Sequence, residues 1–377
     1  MSAAPGSPSA EGRLRIVHVL NTVRETGNGI INTAMDLAWG QARLGHEVHV
    51  VSAGGEYETR LAAWGVTHHR LDQSRRPRAL LRALRAFRAL LEALRPDVVH
   101  AHMVTGTLLV RAARRSRTAG GPLLVAHVHN VYQRSARLMG VADVVLCCGT
   151  VVATQMRARG VAADRLRVVL NGTVGSPRLP APESVAPASL AHPAIVTVAG
   201  LNARKGIREL IGAFAQAAAG APAATLYLVG DGPDRVRFEA EARASGVAAR
   251  IHFVGFQRDP MPWLRAADVF VLASHRESFP IVLGEARAAG CAVVATAVDG
   301  VPEALDGGAA GLLVRPWSGA APDGDDARPT LAEALARLLA DADERARWRS
   351  AAGRGLERFH VMRMVDDTVA LYRSSIP

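Results

Sequence analysis

Short apolar, β-branched runs alternate with helical stretches along most of the chain. Strands that are separated by helices form parallel sheets with helices on both faces. The first half contains six strand candidates, which are LRIVHVL (14–20), EVHVVS (47–52), DVVHAH (97–102), LLVAHV (123–128), DVVLCC (143–148) and LRVVLN (166–171). The second half contains AIVTVA (194–199), ATLYLV (224–229), RIHFVG (250–255), DVFVLA (268–273), AVVATA (292–297) and GLLV (311–314). The pattern therefore predicts an α/β protein.

A proline-rich segment of small residues, TVGSPRLPAPESVAPASLAHP (173–193), interrupts the alternation. Such a composition is typical of a linker between domains. A chain of 377 residues also exceeds what one hydrophobic core usually serves. The sequence thus predicts two doubly wound parallel-sheet domains, residues 13–172 and 194–360. Because ligands of open parallel sheets bind outside the carboxyl ends of the strands, we expect the loops of both domains to face a central cleft.

Composition narrows the class of partner. Lysine and arginine number 45 against 34 aspartate and glutamate, and the net charge of +11 favours anionic partners such as nucleotide phosphates, nucleic acid or an acidic membrane face. Aromatic residues make up only 5% and no basic run interleaves with them, which argues against nucleic acid.

Location follows from the cysteines and from the hydropathy. The three cysteines show no C-x-x-C spacing, so we expect neither a disulfide framework nor a zinc site. The same cysteine content favours a cytoplasmic protein. The first dozen residues have the composition of a loose tail and not of a signal peptide, and no apolar run approaches the length of a membrane span.

Glycine and histidine residues follow the strands of the first domain. The turn TGNGI (26–30) leads from the first strand into a helix, where glycine permits a close backbone approach and the helix start favours negative charge. His100, His102, His127 and His129 close two later strands. We expect His100 and His127 to be packed in the protein, and His102 and His129 to be available to a polar ligand. No metal site is predicted, because neither cysteine nor carboxylate accompanies these imidazoles.

Two glycine-containing turns follow strands of the second domain. GLNARKG (200–206) leads into a helix, and its Arg204 and Lys205 are placed to meet phosphate oxygens. GDGP (230–233) repeats such a turn after the next strand, so Gly230 is a candidate contact of a bound nucleotide.

The segment ESFPIVLGE (277–285) places two glutamates around seven mainly apolar residues. We expect Pro280 in the first turn of a helix, because its missing N–H would be unpaired there. The start of the helix then leaves the N–H groups of Phe279, Ile281 and Val282 for an anion such as a diphosphate.

The two glutamates themselves admit two interpretations. Glu285 can accept two hydroxyl groups of a ribose, while Glu277 reaches the hydroxyls of an attached sugar. Alternatively, one glutamate is exposed and the other is paired with Arg276 or Arg287.

The string SHRESFPIVLGEARAAGCAVVATAVDGVPEAL (274–305) resembles the signature of glycosyltransferase family 4, retaining GT-B enzymes with a Glu, seven residues, Glu motif. Further segments match the same family in order, which are RLGHEV (43–48), PDVVHAH (96–102), VLNG (169–172), the RKG turn and VGDGP (229–233). The resemblance covers most of residues 15–316 and implies a GT-B fold of two Rossmann-like domains.

The resemblance implies roles for residues of the second domain, which would bind the donor nucleotide sugar. Lys205 would neutralise the donor diphosphate, and Glu285 would hold the ribose. Glu277 and the backbone of Ser278–Ile281, including Phe279, would contact the donor sugar and the phosphates.

It also implies roles in the first domain, which would bind the acceptor. His129 would lie beside the anomeric centre, and Gly29 near the phosphates and the acceptor. The helix at 361–377 resembles the closing helix of the family, which returns to the first domain and forms part of a hinge.

Three positions depart from the family pattern. Gly200 stands where many relatives have an arginine that assists the lysine, and Arg204 is our candidate for a substitute cation. Pro280 stands where a glycine often donates its N–H. Residues 173 and 174 replace the usual hydrophobic residue and aspartate after Asn-Gly.

The activity that the resemblance implies is retaining transfer of a sugar from a nucleoside-diphosphate sugar, with a UDP-sugar favoured. The acceptor would be a hydroxyl group of a small molecule or a lipid-linked glycan, in bacterial surface glycan or small-metabolite biosynthesis. Neither a metal nor a cofactor is expected. A nucleotide-sugar epimerase on the same fold and a catalytically silent binding protein remain alternatives.

Two charged segments complete the picture. Residues 74–96 form a predicted basic amphipathic helix, with Leu80, Leu84, Phe87, Leu91 and Leu94 on one face and Arg78, Arg82 and Arg85 on another. Such a helix docks on anionic lipid at the inner membrane face or packs on the sheet, and both readings stay open. The acidic DGDD (323–326) is expected to be a solvated turn.

Overall fold

The computed structural model describes residues 12–73, 77–115, 120–317 and 326–376, with the backbone alone for 77–80. The predicted tail up to residue 11, residues 74–76 of the basic segment and residues 323–325 of the acidic turn lie outside this part. The chain forms two compact units. Unit 1 comprises Met1–Gly172 and Val361–Pro377, and unit 2 comprises Thr173–His360.

Unit 1 contains a seven-stranded parallel sheet in the order β3-β2-β1-β4-β5-β6-β7. The strands are β1 (Arg15–Val19), β2 (Glu47–Ser52), β3 (Thr67–Arg70), β4 (Val98–Ala101), β5 (Leu123–Val128), β6 (Val144–Cys147) and β7 (Leu166–Val168). The helices are α1 (Gly29–Arg43), α2 (Glu58–Ala63), α3 (Pro77–Leu94), α4 (Val104–Ala113) and α5 (Thr150–Ala158). Strands β4, β5 and β6 are buried along their whole length, as the apolar runs predict for a sheet covered on both faces.

The core of unit 1 includes the helix at 361–375. Val361, Met364, Val365 and Tyr372 of this helix pack in one cluster with residues of the sheet and of α1. The helix approaches α1 closely at Gly40, where a Cβ atom would clash with the side chain of Val365.

Unit 2 contains a six-stranded parallel sheet in the order β10-β9-β8-β11-β12-β13. The strands are β8 (Ala194–Val198), β9 (Thr225–Val229), β10 (Ile251–Gly255), β11 (Val269–Leu272), β12 (Ala292–Thr296) and β13 (Leu312–Val314). The helices are α6 (Ile207–Ala217), α7 (Arg235–Ala244), α8 (Met261–Ala266), α9 (Ile281–Ala288), α10 (Val301–Ala304), α11 (Leu331–Ala340) and α12 (Ala342–Ala352). The helix of unit 1 at Val361–Ser375 is α13.

The predicted fold class of two doubly wound parallel sheets is confirmed, and each predicted strand is present with its ends moved by at most three residues. Strand β3, Thr67–Arg70, was not predicted. Its sequence THHR has no apolar run, because the strand lies at the edge of the sheet and none of its residues is fully buried.

The predicted linker, residues 173–193, belongs to unit 2 and hydrogen-bonds with other parts of that unit. The N–H groups of Thr173 and Val174 both donate to the carbonyl of Phe359, and that of Ala191 donates to the Tyr227 hydroxyl. Asp326 of the acidic turn pairs with Arg328 at 2.8 Å.

The basic helix α3 buries Phe87 and Leu91, while Leu81 is 58% exposed. The buried residues are four positions apart and therefore lie on one face of the helix. No helix in the described parts of the chain combines the length and the apolar character needed to cross a bilayer.

Candidate functional site

The strand order of unit 2 reverses between β8 and β11, which are neighbours in the sheet. Loops that follow the two strands at such a reversal diverge and leave a crevice, where open α/β sheets bind their ligands. The loop after β8 carries Arg204 and Lys205, and the loop after β11 carries Glu277 and Ser278. The predicted donor-site residues therefore come from the two strands that flank the crevice.

The loop after β8 turns sharply before α6. It forms a short 3-10 helix, Ala203–Lys205, and then Gly206 adopts a left-handed conformation with φ of 64°. A Cβ atom at position 206 would clash with the carbonyl oxygen of Ala273, just past β11. Glycine thus allows the turn at residues 203–206, which we call the lysine turn, to lie directly against the end of the neighbouring strand.

Glu277 is 6% exposed, and three groups meet its Oε1 atom. Lys205 forms an ion pair with it, the Ser274 hydroxyl donates a hydrogen bond at 2.8 Å, and the Arg204 guanidinium lies 3.7 Å away. A buried carboxylate needs such partners to offset its desolvation. Lys205 is therefore held in the crevice by Glu277.

The two arginines that the alternative interpretation pairs with a glutamate each contact other groups in the described part of the chain. Arg276 pairs with Asp299 at 3.2 Å. The guanidinium of Arg287 is buried and donates to the carbonyl oxygens of Ala352, Ala304 and Arg354 at 2.5 to 3.0 Å. It also lies 4.8 Å from the ring centroid of Phe359, so Arg287 fastens α9 to the segments around it.

Helix α9 begins at Ile281 with Pro280 in the N-cap position, one residue later than predicted. The first N–H groups of an α-helix have no partner within the helix. Among the loop and cap hydrogen bonds of the described residues, none uses the N–H of Phe279, Ile281 or Val282. Ser278 and Phe279, which come shortly before the helix, are both buried, and the Phe279 ring stacks on Phe359.

Glu285, in the second turn of α9, is 8% exposed. The Thr173 hydroxyl donates to its Oε1 atom at 2.8 Å. Thr173 is fixed in turn by its N–H, which donates to the carbonyl of Phe359 at 2.7 Å. The sequence reasoning noted position 173 as a departure from the family pattern but did not foresee this contact.

Gly230 follows β9 with φ of 140°, and a Cβ atom there would clash with the carbonyl of Ala199 after β8. Its N–H donates to the carbonyl of Gly255 at 2.8 Å. The glycine turn therefore joins the ends of three adjacent strands, which places it beside the lysine turn.

The amino-acid composition also singles out Lys205, independently of the sequence motifs. Lys205 is the only lysine in the sequence, and the other 44 basic residues of the 45 are arginines. A chain that otherwise uses arginine throughout has an ammonium at the crevice, where a compact point charge differs most from a planar guanidinium.

The remaining predicted residues belong to unit 1. Gly29 is the first residue of α1, and the Asn28 side chain caps this helix by accepting from the N–H of Ile30 at 2.9 Å. His129 directly follows β5 and is 9% exposed.

The expectation that His102 is available to a ligand is wrong. Its Nε2 atom lies 2.9 Å from Nδ1 of His18, and its Nδ1 atom lies 3.1 Å from Nε2 of His129. Both ring nitrogens are therefore used inside the protein. Sequence reasoning missed His18 because it lies within β1, whereas the other histidines were sought at strand ends.

Burial keeps these histidines neutral. It lowers the pKa of His18 to about 4, against a smaller opposing effect of its hydrogen bond to Gln41, and it lowers the pKa of His129 to about 3. Burial followed by repulsion from neighbouring histidines holds the pKa values of His100, His102 and His127 well below the ordinary value.

Known proteins resemble the chain along both units. Residues 192–341 match the family described as Glycosyl transferases group 1, and residues 27–173 match Glycosyltransferase Family 4. The D-inositol 3-phosphate glycosyltransferase of Acidothermus cellulolyticus is 31% identical over an alignment of 320 residues, which covers 74% of this chain and 67% of that protein. The lipopolysaccharide core biosynthesis glycosyltransferase LpsE of Rhizobium meliloti is 34% identical over 155 residues, and the match spans 41% of this chain and 42% of LpsE.

Solved structures share the fold over nearly the whole chain. The crystal structure of HepE from Anabaena, in complex with UDP and glucose, superimposes with a TM-score of 0.78 at 19% identity, covering 96% of this chain and all of HepE. The fold is thus GT-B, as predicted. The matches confirm the resemblance that the motifs indicated, and the chain belongs to the group 1 and family 4 glycosyltransferases.

Proposed function

We propose that the protein transfers a sugar from a nucleoside-diphosphate sugar, with a UDP-sugar favoured, to a hydroxyl group of an acceptor in glycan or small-metabolite biosynthesis. The observation that carries the proposal is the convergence of Lys205, Arg204 and Glu277 at the strand reversal of unit 2. The UDP bound in HepE, a protein of the same fold, supports the choice of uridine.

The leaving group sets what the site must do. A nucleoside diphosphate departs with negative charge, so groups aimed at that developing charge lower the barrier more than groups that only bind the substrate. In our proposal, the ammonium of Lys205 and the unpaired N–H groups at the start of α9 stabilise the departing diphosphate. This arrangement needs no metal ion.

Glu277 has two successive partners in this scheme. Before the donor binds, it holds the ammonium of Lys205 at the crevice. When the donor binds, its diphosphate becomes a second anionic partner of Lys205. Glu277 then accepts hydrogen bonds from hydroxyls of the donor sugar. Glu285 accepts the ribose hydroxyls while Thr173 holds one of its oxygens.

The stereochemical course that we propose is retention. The acceptor hydroxyl attacks the anomeric carbon from the face that the diphosphate leaves, and a phosphate oxygen takes the hydroxyl proton. Unit 1 supplies the acceptor side through Gly29 and His129, and Gly230 and the Ser278 to Ile281 backbone complete the donor side.

The lone lysine gives a direct test of the donor site. Reductive methylation with ¹³C-formaldehyde labels Lys205 and otherwise only an α-amino terminus, so NMR shows one side-chain signal. We expect UDP to shift this signal and to bind more weakly in the Glu285→Gln and Lys205→Met variants, with Arg208→Met as a matched control, since Arg208 pairs with Glu241 on the exposed surface. Undiminished UDP binding in both site variants would exclude this pocket.

Product analysis then tests the reaction. A UDP-sugar with a hydroxyl acceptor should give a glycoside and UDP, and the configuration of the new bond reports on retention. An isomerised sugar formed from the donor alone would instead indicate an epimerase. Full activity in the presence of EDTA is expected if no metal takes part.

We further propose that the protein works in the cytoplasm and touches the inner membrane face through α3. The helix exposes Leu81 beside Arg82 and Arg85 on the side away from Phe87, which is a composition that anionic lipid attracts. Flotation with anionic liposomes at low salt, repeated with Arg82→Gln/Arg85→Gln, tests this contact. An equal amount of floated protein with neutral liposomes would contradict it.

A further inference from the structure

A hydrogen-bonded chain of buried side chains runs across three strands of unit 1 and ends at His129. It consists of Gln41, His18, His102 and His129, and we call it the histidine chain. The Oε1 atom of Gln41 lies 2.7 Å from Nε2 of His18. The next links are 2.9 Å from His18 Nδ1 to His102 Nε2, and 3.1 Å from His102 Nδ1 to His129 Nε2.

Gln41 gives this chain a direction. The amide nitrogen of Gln41 donates to the Tyr372 hydroxyl at 3.3 Å, which leaves the amide oxygen facing His18. An oxygen only accepts, so Nε2 of His18 must carry a proton. A neutral imidazole has one donor and one acceptor nitrogen, and therefore Nδ1 of His18 accepts.

The same rule fixes each following ring. Because Nδ1 of His18 accepts, His102 donates from Nε2 and accepts at Nδ1. His129 then donates from Nε2, which leaves a lone pair on its Nδ1 atom. That atom is buried and has no hydrogen-bond partner among the residues that the structure describes.

Tyr372 anchors the start of the chain. Its hydroxyl accepts from Gln41 and hydrogen-bonds to Nδ1 of His100. A half-turn of the Gln41 amide would reverse every link and put the proton of His129 on Nδ1, so the amide orientation and the tautomer of His129 are one choice.

We propose that Gln41 and Tyr372 are positioning residues, which fix the Nε2-protonated tautomer of His129 through His18 and His102. The functional half of this inference rests on the proposed function, in which His129 lies beside the reacting sugar. In this tautomer, Nδ1 of His129 accepts a hydrogen bond from a hydroxyl group or a water molecule and supplies no positive charge. A buried lone pair without a protein partner favours such a ligand.

The tautomers can be measured without any substrate. In protein with ¹⁵N-labelled histidine at pH 7.5, long-range ¹H–¹⁵N spectra distinguish a protonated ring nitrogen from one with a lone pair. We expect Nε2 of His129 to be protonated and Nδ1 to carry the lone pair, with the signals assigned from a His129→Gln sample. A proton on Nδ1 of His129 in the unaltered protein would overturn the inference.

Two variants test which residues set the choice. Gln41→Met removes the acceptor of the first link at similar volume, and Tyr372→Phe removes only the hydroxyl that orients the amide. One net hydrogen bond biases an equilibrium roughly fivefold, so each variant should lower the tautomer ratio of His129 by about that factor. Unaltered tautomers in both variants would also overturn the inference.

Gln73→Met is the matched control. Gln73 is buried in the same unit and its amide donates to the carbonyl of Leu20 at 2.6 Å, outside the histidine chain. We expect this variant to lose stability while the His129 signals keep their positions. A change of tautomer in Gln73→Met equal to that in Gln41→Met would mean that general loosening, and not the chain, sets the tautomer.

Kinetics connect the tautomer to turnover. Gln41→Met should lower kcat by roughly the same fivefold factor while KM for the nucleotide sugar stays unchanged, because the donor residues belong to unit 2. An altered tautomer with unaltered kcat would refute the functional half. Failure of UDP to shift the Lys205 signal would refute the proposed function and would leave the tautomer measurement standing.

Discussion

Lowering the pH from 7.5 to 5.0 should weaken unit 1 far more than unit 2. Burial lowers the pKa of His18 to about 4 and that of His129 to about 3, whereas an unfolded chain has histidines that titrate near 6.5. Below pH 6.5, the unfolded state therefore binds protons on these histidines that the folded state does not bind. Stability from the neutral rings is complete above pH 6.5 and is lost progressively as the pH falls toward 4.

The size of the effect follows from these two pKa values. At pH 5.0, His18 and His129 each remove about 2 kcal/mol from the free energy of unfolding, or about 4 kcal/mol together. The lowered pKa values of His100, His102 and His127 act in the same direction. Against a total of roughly 5 to 15 kcal/mol for a typical domain, this is a large fraction.

Hydrogen exchange read by mass spectrometry resolves the two units within one sample. Peptides from β1, β4 and β5 should open on the order of a thousandfold more often at pH 5.0 than at pH 7.5, after correction for the intrinsic exchange rate. Peptides from β8 and β9 serve as the internal control, because the buried histidines of the described chain all belong to unit 1. These are His18, His46, His49, His100, His102, His127 and His129. Opening of the unit 1 strands that changes less than about threefold would refute the reasoning.

Three substitutions in unit 2 have defined outcomes. Thr173→Val removes the hydroxyl that holds Glu285 and should weaken UDP binding roughly tenfold, as measured by calorimetry. Thr173→Ser keeps a hydroxyl and should bind UDP as the unaltered protein does. Equal affinities of the unaltered protein and both variants would contradict the role of Thr173 in holding Glu285. Arg287→Met leaves three carbonyls without their donor and should cost unit 2 about 3 kcal/mol in urea unfolding, and a loss below about 1 kcal/mol would count against it. Gly206→Ala drives a methyl group into the carbonyl of Ala273 and should cost about 2 kcal/mol and displace the lysine turn, so an unchanged midpoint with unchanged UDP affinity would show that the turn adapts.

The fold was readable from the sequence because it depends on periodicity that each segment carries by itself. Every predicted strand is a short apolar run, and burial on both faces of a parallel sheet requires such runs. The edge strand β3 was not predicted, since a strand with one neighbour needs few apolar residues. The start of α9 was placed one residue too early because Pro280 fits both the cap and the first turn.

The contacts of the site were less accessible, because they join residues that are far apart in sequence. Lys205 and Glu277 are 72 positions apart, and Thr173 and Glu285 are 112 apart, so no local pattern states that they meet. The role of His102 was wrong for the same reason. Its partner His18 lies in the neighbouring strand β1, 84 positions earlier in the sequence.

The place of α13 in the core of unit 1 has a consequence for biosynthesis. Ribosomes deliver the chain from residue 1 onward, so the strands of unit 1 emerge long before Val361–Ser375, which completes their core. Unit 2 is synthesised in between and contains all of its own elements. The nascent protein can therefore complete its later-made half first, and the earlier-made sheet waits with the part of its core that α13 covers still exposed. Chaperones have a surface to hold during this stretch of translation.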